Sequence, residues 1–279
     1  MTDRNHNQNV FEDLIGLLPA GGAATRINPL PCSKELFPVK FYSAEKRKNV
    51  PPKVISYYLL EKMRRADVKK AYFILRPGKW DIPAYFGDGK TLDMHIGYLI
   101  MDLPYGVPFT LDQAYPFLKN TKIAFGFPDI IFEPEDAFVQ LLSKQEQTNA
   151  DIVLGLFEAQ RPQKMDMVEF DGQGNICKID IKPASTQLRY TWIIAVWTDR
   201  FTEFMHQFVV KHKNRCTAEP IGNSKNKEVF VGDVIQAAVN TDIKIENVIF
   251  ADGQYIDIGT PDDLAKAVHR GIGKQEEIK

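Results

Sequence analysis

The first place in this chain where chemistry can be read is a run of small residues followed by two cations. Pro19-Ala20-Gly21-Gly22-Ala23-Ala24-Thr25-Arg26 comes directly after a short apolar run at 14–18, and Lys34 lies a little further on. Backbone N–H groups crowded on a turn with few side chains can wrap a phosphate or lie against a base. Arg26 and Lys34 could then meet the charge of a polyphosphate. The same glycines would also serve a plain strand-to-helix connection in which they only permit close packing. Gly-Gly by itself leaves both open. The turn lacks the Gly-Lys-Ser/Thr of a P-loop and is not Gly-x-Gly-x-x-Gly.

Two distant aspartates draw the same attention. Asp129 closes the segment Phe125-Gly-Phe-Pro-Asp129, and Asp257 sits in Gly253-Gln-Tyr-Ile-Asp257-Ile-Gly-Thr-Pro-Asp-Asp-Leu264. Taken singly, each reads as a turn or cap residue. Other chemistries find no support. There is no Gly-x-Ser-x-Gly elbow and no His-Glu-x-x-His motif, and His6, His95, His206, His212 and His269 are scattered.

Composition bounds the rest. The 279 residues carry 35 Lys+Arg against 36 Asp+Glu, a net charge of −1, so bulk attraction to nucleic acid is not expected. A local basic pocket for a small phosphate ligand is compatible with that balance. With 44% hydrophobic and 25% charged residues, the chain reads as globular with ample length for a core. No apolar run approaches the roughly 20 residues of a membrane span, and the polar start lacks a signal-peptide core. Cys32, Cys177 and Cys216 are odd in number and widely spaced, which predicts reduced thiols and a cytoplasmic location.

These residues must be held by elements, and the periodicity predicts which. The apolar run at 14–18 reads as a strand buried on both faces, followed by a helix over 54–65 and a strand over 71–75. Strands at 95–101, 122–127 and 151–157 alternate with helices at 110–118 and 135–144. A hairpin of 167–170 and 176–181 turns at Asp171-Gly-Gln-Gly174, and a strand at 190–197 follows. Helices at 201–213, 229–239 and 261–269, a polar loop at 213–227 and a strand at 244–250 complete the chain. Such alternation predicts an α/β fold, a mixed and mostly parallel sheet flanked by helices. Residues 1–10 read as a disordered leader, 11–270 as one domain with an excursion at about 165–228, and 271–279 as a polar tail.

The full stretch around the glycines resembles a known signature. Gly21, Gly22, Thr25, Arg26 and Pro29, then Lys34, Leu36, Pro38 and Val39, match the Gly-Gly-x-Gly-Thr-Arg-Leu-x-Pro and Lys-x-Leu-x-Pro-Val pattern of the sugar-phosphate nucleotidylyltransferases. The Asp129 segment is similar to that family's Gly-Asp-Asn-Ile-Phe, and the Asp257 segment to its Trp-x-Asp-x-Gly-Thr-Pro-Glu-Asp-Leu, with Tyr255 for Trp. Gly106 sits in a stretch similar to the family's Pro-x-Gly helix start, and Lys182-Pro183 is similar to its Glu-Lys-Pro. The resemblance covers about residues 14–266.

It implies a Rossmann-like fold of the nucleotide-diphospho-sugar transferase type, without the C-terminal β-helix of some branches. It implies that a nucleoside triphosphate and a sugar 1-phosphate give a nucleotide sugar and pyrophosphate. Arg26 and Lys34 would hold the pyrophosphate, and Lys182 would align the attacking phosphate. Ala20, Gly21, Gly22, Thr25 and Gly106 would bind nucleotide, and Asp129 with Asp257 would hold Mg²⁺. That metal suits one or two carboxylates joined by phosphate oxygens and water. Asp180 and Asp233 are further candidates beside the sugar.

Three positions depart from the pattern. Ala24 stands at the family's second glycine, Leu103 or Met101 near its base-reading glutamine, and Ile181 at the glutamate before the lysine. Short members of the family point to glucose 1-phosphate with dTTP or UTP. A cytidylyltransferase for another phosphorylated substrate and a catalytically silent nucleotide-sugar-binding or regulatory protein are the alternatives. No membrane or nucleic-acid partner is expected, and a homo-oligomer is left open.

Overall fold

The computed structural model describes residues 13–39, 52–101, 105–217 and 228–269, the side chains of 214–217 and 269 excepted. The expected leader, the expected tail, most of the expected loop at 213–227, Leu103 and the Cys216 side chain therefore lie outside the described residues.

The chain opens with β1 (Asp13–Ala20), then the short strands β2 (Pro38–Val39) and β3 (Lys53–Val54), α1 (Ile55–Arg65) and β4 (Lys70–Leu75). Next come α2 (Asp81–Phe86), β5 (His95–Ile100), α3 (Val107–Leu111), β6 (Thr121–Gly126), β7 (Ile130–Glu133), α4 (Ala137–Thr148) and β8 (Ile152–Glu158). The hairpin β9 (Asp166–Phe170) and β10 (Ile176–Ile181) leads to β11 (Tyr190–Trp197) and α5 (Asp199–Thr217). The closing elements are α6 (Val231–Val239), β12 (Ile245–Ile249), β13 (Gln254–Asp257) and α7 (Pro261–His269).

β1 lies at the centre, parallel to β4 on one side and to β6 on the other, with β5 parallel beyond β4. β11 runs antiparallel to β6 and to β8, and β12 is parallel to β8. The β9–β10 hairpin joins the same sheet through the start of β11. Only β10 and β11 run against the rest, so the sheet is mixed and mostly parallel, as the alternation predicted.

Successive β1 residues feed opposite faces. Leu18 joins the cluster with Leu59, Met63 and Phe138 of α1 and α4, while Leu17 joins Phe109, Phe201 and Val234 of α3, α5 and α6. Burial on both faces is why the strand reads as a continuous apolar run rather than an alternation. A third, smaller cluster packs Ile27, Val39, Ile55, Ile131 and Ile258 beneath the Gly-rich loop. That cluster ties the loop to β7 and β13, which pair with each other outside the main sheet.

Several expected helices change their bounds, the one expected over 135–144 running from Ala137 to Thr148 as α4. The helix predicted over 110–118 is α3 followed by a 3₁₀ turn at Asp112–Phe117, because Pro116 withholds the N–H a regular helix would use there. α5 runs on to Thr217, past the expected start of a loop at 213, since no Gly or Pro interrupts the chain before Pro220. Cys32 and Cys177 are free thiols. No helix among the described residues is long and apolar enough to cross a membrane.

Candidate active site

Consecutive connections from β1 go to β4 on one side, and the chain later returns to β6 on the other. Such a reversal leaves a crevice at the carboxyl ends of the strands, where open α/β sheets bind ligands. Two cavities occupy it. One of about 500 Å³ reaches from Arg26 and Lys34 to Lys182, and one of about 430 Å³ lies over Gly21, Met101 and Gly106. They share Pro19, Gly22, Val107 and Glu228, so they form one continuous cleft.

The glycines set its floor. A side chain on Gly22 would meet nothing, so its backbone faces open space. One on Gly21 would run into the Met101 sulfur, which also accepts the Thr110 hydroxyl at 3.3 Å. Gly106 has φ of 124°, and a Cβ there would overlap the Val229 carbonyl oxygen. Glycine alone satisfies that position. Ala24 adopts φ of 53°, a left-handed conformation unfavourable for an L-residue, and its carbonyl accepts Ile27 and Asn28 N–H, both at 3.1 Å. The methyl group that departs from the family pattern therefore sits where backbone geometry wants glycine. Ala20 is buried at the end of β1, Thr25 is exposed in the turn, and neither lines the cleft.

The cations and carboxylates converge on one wall. Asp257 lies opposite Ile130 in the β13–β7 pair, and Ile258 N–H donates to the Asp129 carbonyl at 3.0 Å, which brings the two aspartates together. Lys34 Nζ donates to Asp129 Oδ2. Burial would lower the Lys34 ammonium, but Asp129 and the other nearby carboxylates hold it above its ordinary value. Burial, reinforced by the negative charge of Asp129, pushes the Asp257 carboxyl up to about 6, against the pull of Lys34 and Arg26. Arg26 Nη2 reaches within 3.3 Å of where a Gly259 Cβ would stand, beside Asp257.

Two close carboxylates, with the charge of Asp129 disfavouring that of Asp257, suit a divalent cation shared with ligand phosphates. Asp129 and Asp257 fit Mg²⁺ in that sense. Among the described residues, no group of three or more His, Cys, Asp or Glu is placed to hold a metal without such help.

Lys182 lines the opposite wall with φ of 45°, its N–H bonded to the Met165 carbonyl at 3.1 Å and its ammonium 3.5 Å from the Phe230 ring centre. Asp180 and Asp233 line neither cavity. Asp180 pairs with Lys178 at 3.4 Å on the hairpin, and Asp233 accepts Phe230 N–H at 2.7 Å, capping α6. Asp233 nonetheless lies close enough to Asp166, which lines the cleft, to act on it electrostatically.

Several further groups line or brace the cleft. Glu35 is almost fully buried, accepts Lys79 Nζ at 2.6 Å through Oε1 and leaves Oε2 without a partner. Burial raises its carboxyl. The same loop is anchored where Asp81, at the start of α2, accepts Ser33 N–H at 2.6 Å and its hydroxyl at 2.7 Å. Arg161 pairs with Asp263 at 2.7 Å, and Asp263 accepts Thr260 Oγ1 at 2.6 Å. Asp166, from the start of β9, also lines the cleft. The pairs Glu35–Lys79, Ser33–Asp81 and Arg161–Asp263 join residues far apart in sequence and left no readable sign as pairs, although Thr260 and Asp263 stand in the Asp257 segment.

Fold and cleft together define a nucleotide-diphospho-sugar transferase architecture. The chain belongs to the family described as nucleotidyl transferase, whose profile matches residues 15–271. Among relatives, the low-salt glycan biosynthesis nucleotidyltransferase of Haloferax volcanii is 23% identical over 256 residues, 90% of this chain and 64% of that protein. Glucose-1-phosphate thymidylyltransferase of Mycolicibacterium smegmatis is 26% identical over 180 residues, 63% of this chain and 57% of that one. The Neisseria gonorrhoeae protein of the same name is 23% identical over 259 residues, 90% of this chain and 80% of that one. The chain therefore spans under two thirds of the first two relatives. A crystal structure described as glucose-1-phosphate thymidylyltransferase from Bacillus anthracis superposes with a TM-score of 0.72 at 18% identity, covering 91% of this chain and 93% of that one. UDP-glucose pyrophosphorylase complexed with UDP-glucose gives 0.69 at 14% identity, covering 91% and 96%. These two likenesses are of fold.

Proposed function

We propose that the chain transfers a nucleotidyl group from a nucleoside triphosphate to a sugar 1-phosphate and releases pyrophosphate. Glucose 1-phosphate with dTTP or UTP is the first pair, supported by what the relatives are named for. The observation that carries the proposal is one cleft lined by Arg26, Lys34, Lys182 and the Asp129–Asp257 pair. A protein with no phosphate chemistry has no need of that set.

In the transfer, a sugar-phosphate oxygen attacks the α-phosphorus. The new P–O bond forms in line with the bond to the bridging oxygen of pyrophosphate, which breaks and leaves with its electron pair. The attacking oxygen is already an anion, so no residue need remove a proton. The work left to the chain is positioning and charge neutralisation. Arg26 and Lys34 bear on the leaving pyrophosphate, Lys182 aligns the attacking phosphate, and the bare backbone at Gly22 lets the triphosphate lie close. Asp129 and Asp257 would hold Mg²⁺, which supplies positive charge to the phosphate oxygens when bound.

The experiment is pyrophosphate release across a panel of triphosphates and sugar 1-phosphates with Mg²⁺. Turnover with one pair supports transfer. Measurable nucleotide-sugar binding with no turnover for any pair would instead favour the silent binding protein, towards which the departures at Ala24 and Ile181 point.

A further inference from the structure

Of the cleft carboxylates that the transfer chemistry does not use, Glu35 and Asp263 are ion-paired with Lys79 and Arg161, whereas Asp166 is not. Asp166 faces Ile181 across the β9–β10 pair, and cross-strand partners share a face of the hairpin. Its backbone is fixed, since its carbonyl accepts the Thr191 hydroxyl at 2.9 Å. Its side chain is pinned against α6, with Oδ2 2.5 Å from where a Cβ on Gly232 would stand. The indole N–H of Trp192 lies beside it, buried and without a hydrogen bond of ordinary geometry. Among the described residues no ammonium or guanidinium forms an ion pair with Asp166. Lys182, the nearest cation by its electrostatic effect, has its ammonium on the Phe230 ring.

A largely buried carboxylate with no ion pair is costly, and such groups in clefts mark binding or catalysis. Burial drives its carboxyl up to about 6, with Lys182 opposing and Asp233 adding to the rise. The Trp192 indole N–H and the Gly232 backbone N–H are the donors beside it, which leaves the carboxylate's remaining acceptor sites to a ligand in the cleft.

We infer that Asp166 is the specificity-determining carboxylate of the acceptor end of the cleft, accepting hydrogen bonds from ring hydroxyls of a sugar whose phosphate lies at Lys182. The inference rests on the transfer reading for the phosphate's place, and on the Asp166 geometry for the hydroxyls. Neutral hydroxyls suit this corner better than a cationic head group. Lys182 already supplies positive charge there, and its ammonium covers the Phe230 face that a second cation would use. Asp166 thus puts into the hairpin the carboxylate that Ile181 does not provide. A site built to bond a hydroxyl rejects an analogue without it far more strongly than an apolar pocket could.

The test uses the full chain with Asp166→Ala, Asp166→Asn and Gly232→Ala, the last pushing on the carboxylate without removing it. Steady-state KM for the hexose 1-phosphate used by the wild type should rise at least about tenfold in Asp166→Ala and less in Asp166→Asn. KM for the triphosphate should stay within about twofold. The wild type should discriminate against one monodeoxy analogue of its sugar phosphate, and Asp166→Ala should lose that discrimination. Equal rises in both KM values, retained discrimination, or preference for phosphocholine over every hexose phosphate would overturn the assignment. Calorimetry with glucose 1-phosphate separates the two proposals. Asp166-dependent binding without wild-type turnover would remove the transfer reading and leave Asp166 standing. Turnover with unchanged sugar-phosphate binding in all three variants would do the reverse.

Discussion

Asp257 is the residue on which the proposed metal site and pH meet. Its carboxyl, raised to about 6 by burial and by Asp129, must be ionised to share a cation. Mg²⁺ half-saturation should therefore shift to higher concentration as pH falls below about 6, measured by Mg²⁺ titration of pyrophosphate release at pH 5.5 and 7.5. An unchanged half-saturation would remove Asp257 from the metal site. Asp166 has the opposite kind of consequence, on stability. Its pKa is raised on folding, so the folded state holds a proton more tightly than the unfolded chain. Stability is then lost as pH climbs from about 4 through about 6. Asp166→Asn should stabilise the ligand-free protein by about 1–3 kcal/mol at pH 8 and by little at pH 4, in urea unfolding at the two values. A gain of equal size at both pH values would mean that the buried charge is not its cause. Ala24, at φ of 53°, should tolerate glycine with a gain of up to about 1 kcal/mol, read as a small rise in Tm. These residue-level features divide by legibility. Arg26, Lys34, Asp129 and Asp257 stand in contiguous motifs and could be read from the sequence. The Ala24 departure was visible as a missing glycine, but its left-handed backbone was not.

At the level of elements, the site depends on how the Gly-rich loop is clamped. The loop after β1 carries Lys34, and the neighbouring Glu35 is bound to Lys79 at 2.6 Å just before α2. Lys79→Met would strand a buried carboxylate and should cost about 3 kcal/mol or more in urea unfolding. The triphosphate KM should rise as Lys34 loses its seat, while a second substitution, Glu35→Gln in the Lys79→Met background, should recover part of both. Failure of the double variant to recover anything would mean that the pair is not the clamp. α2, β7 and β13 are short, and no periodicity announces so few residues. The pairing of Glu35 with Lys79 and of Arg161 with Asp263 is set by tertiary approach between segments whose own sequences give no sign of it. The long elements were legible for the converse reason. Strands such as β1 and β8 are buried on both faces and read as apolar runs, and α1 carries a clear amphipathic stripe.

Across the whole molecule, near-neutral charge and an interior clustering of opposite charges belong together. The net charge of −1 offers no bulk attraction to polyanions. Arg26, Lys34 and Lys182 nevertheless face Asp129, Asp166 and Asp257 around one cleft at the sheet's topological reversal. The fold's order of strands puts them there: β1 and β6 deliver the first cations and Asp129, β13 brings Asp257 back against β7, and the hairpin off β11 supplies the far wall. The measurement that bears most directly on nucleotidyl transfer is pyrophosphate release from dTTP or UTP with glucose 1-phosphate and Mg²⁺, run beside Lys34→Ala and Asp257→Asn. The expected result is release in the wild type that requires both substrates and falls at least about a hundredfold in each variant. Release that needs no sugar phosphate, or that survives both substitutions undiminished, would contradict it.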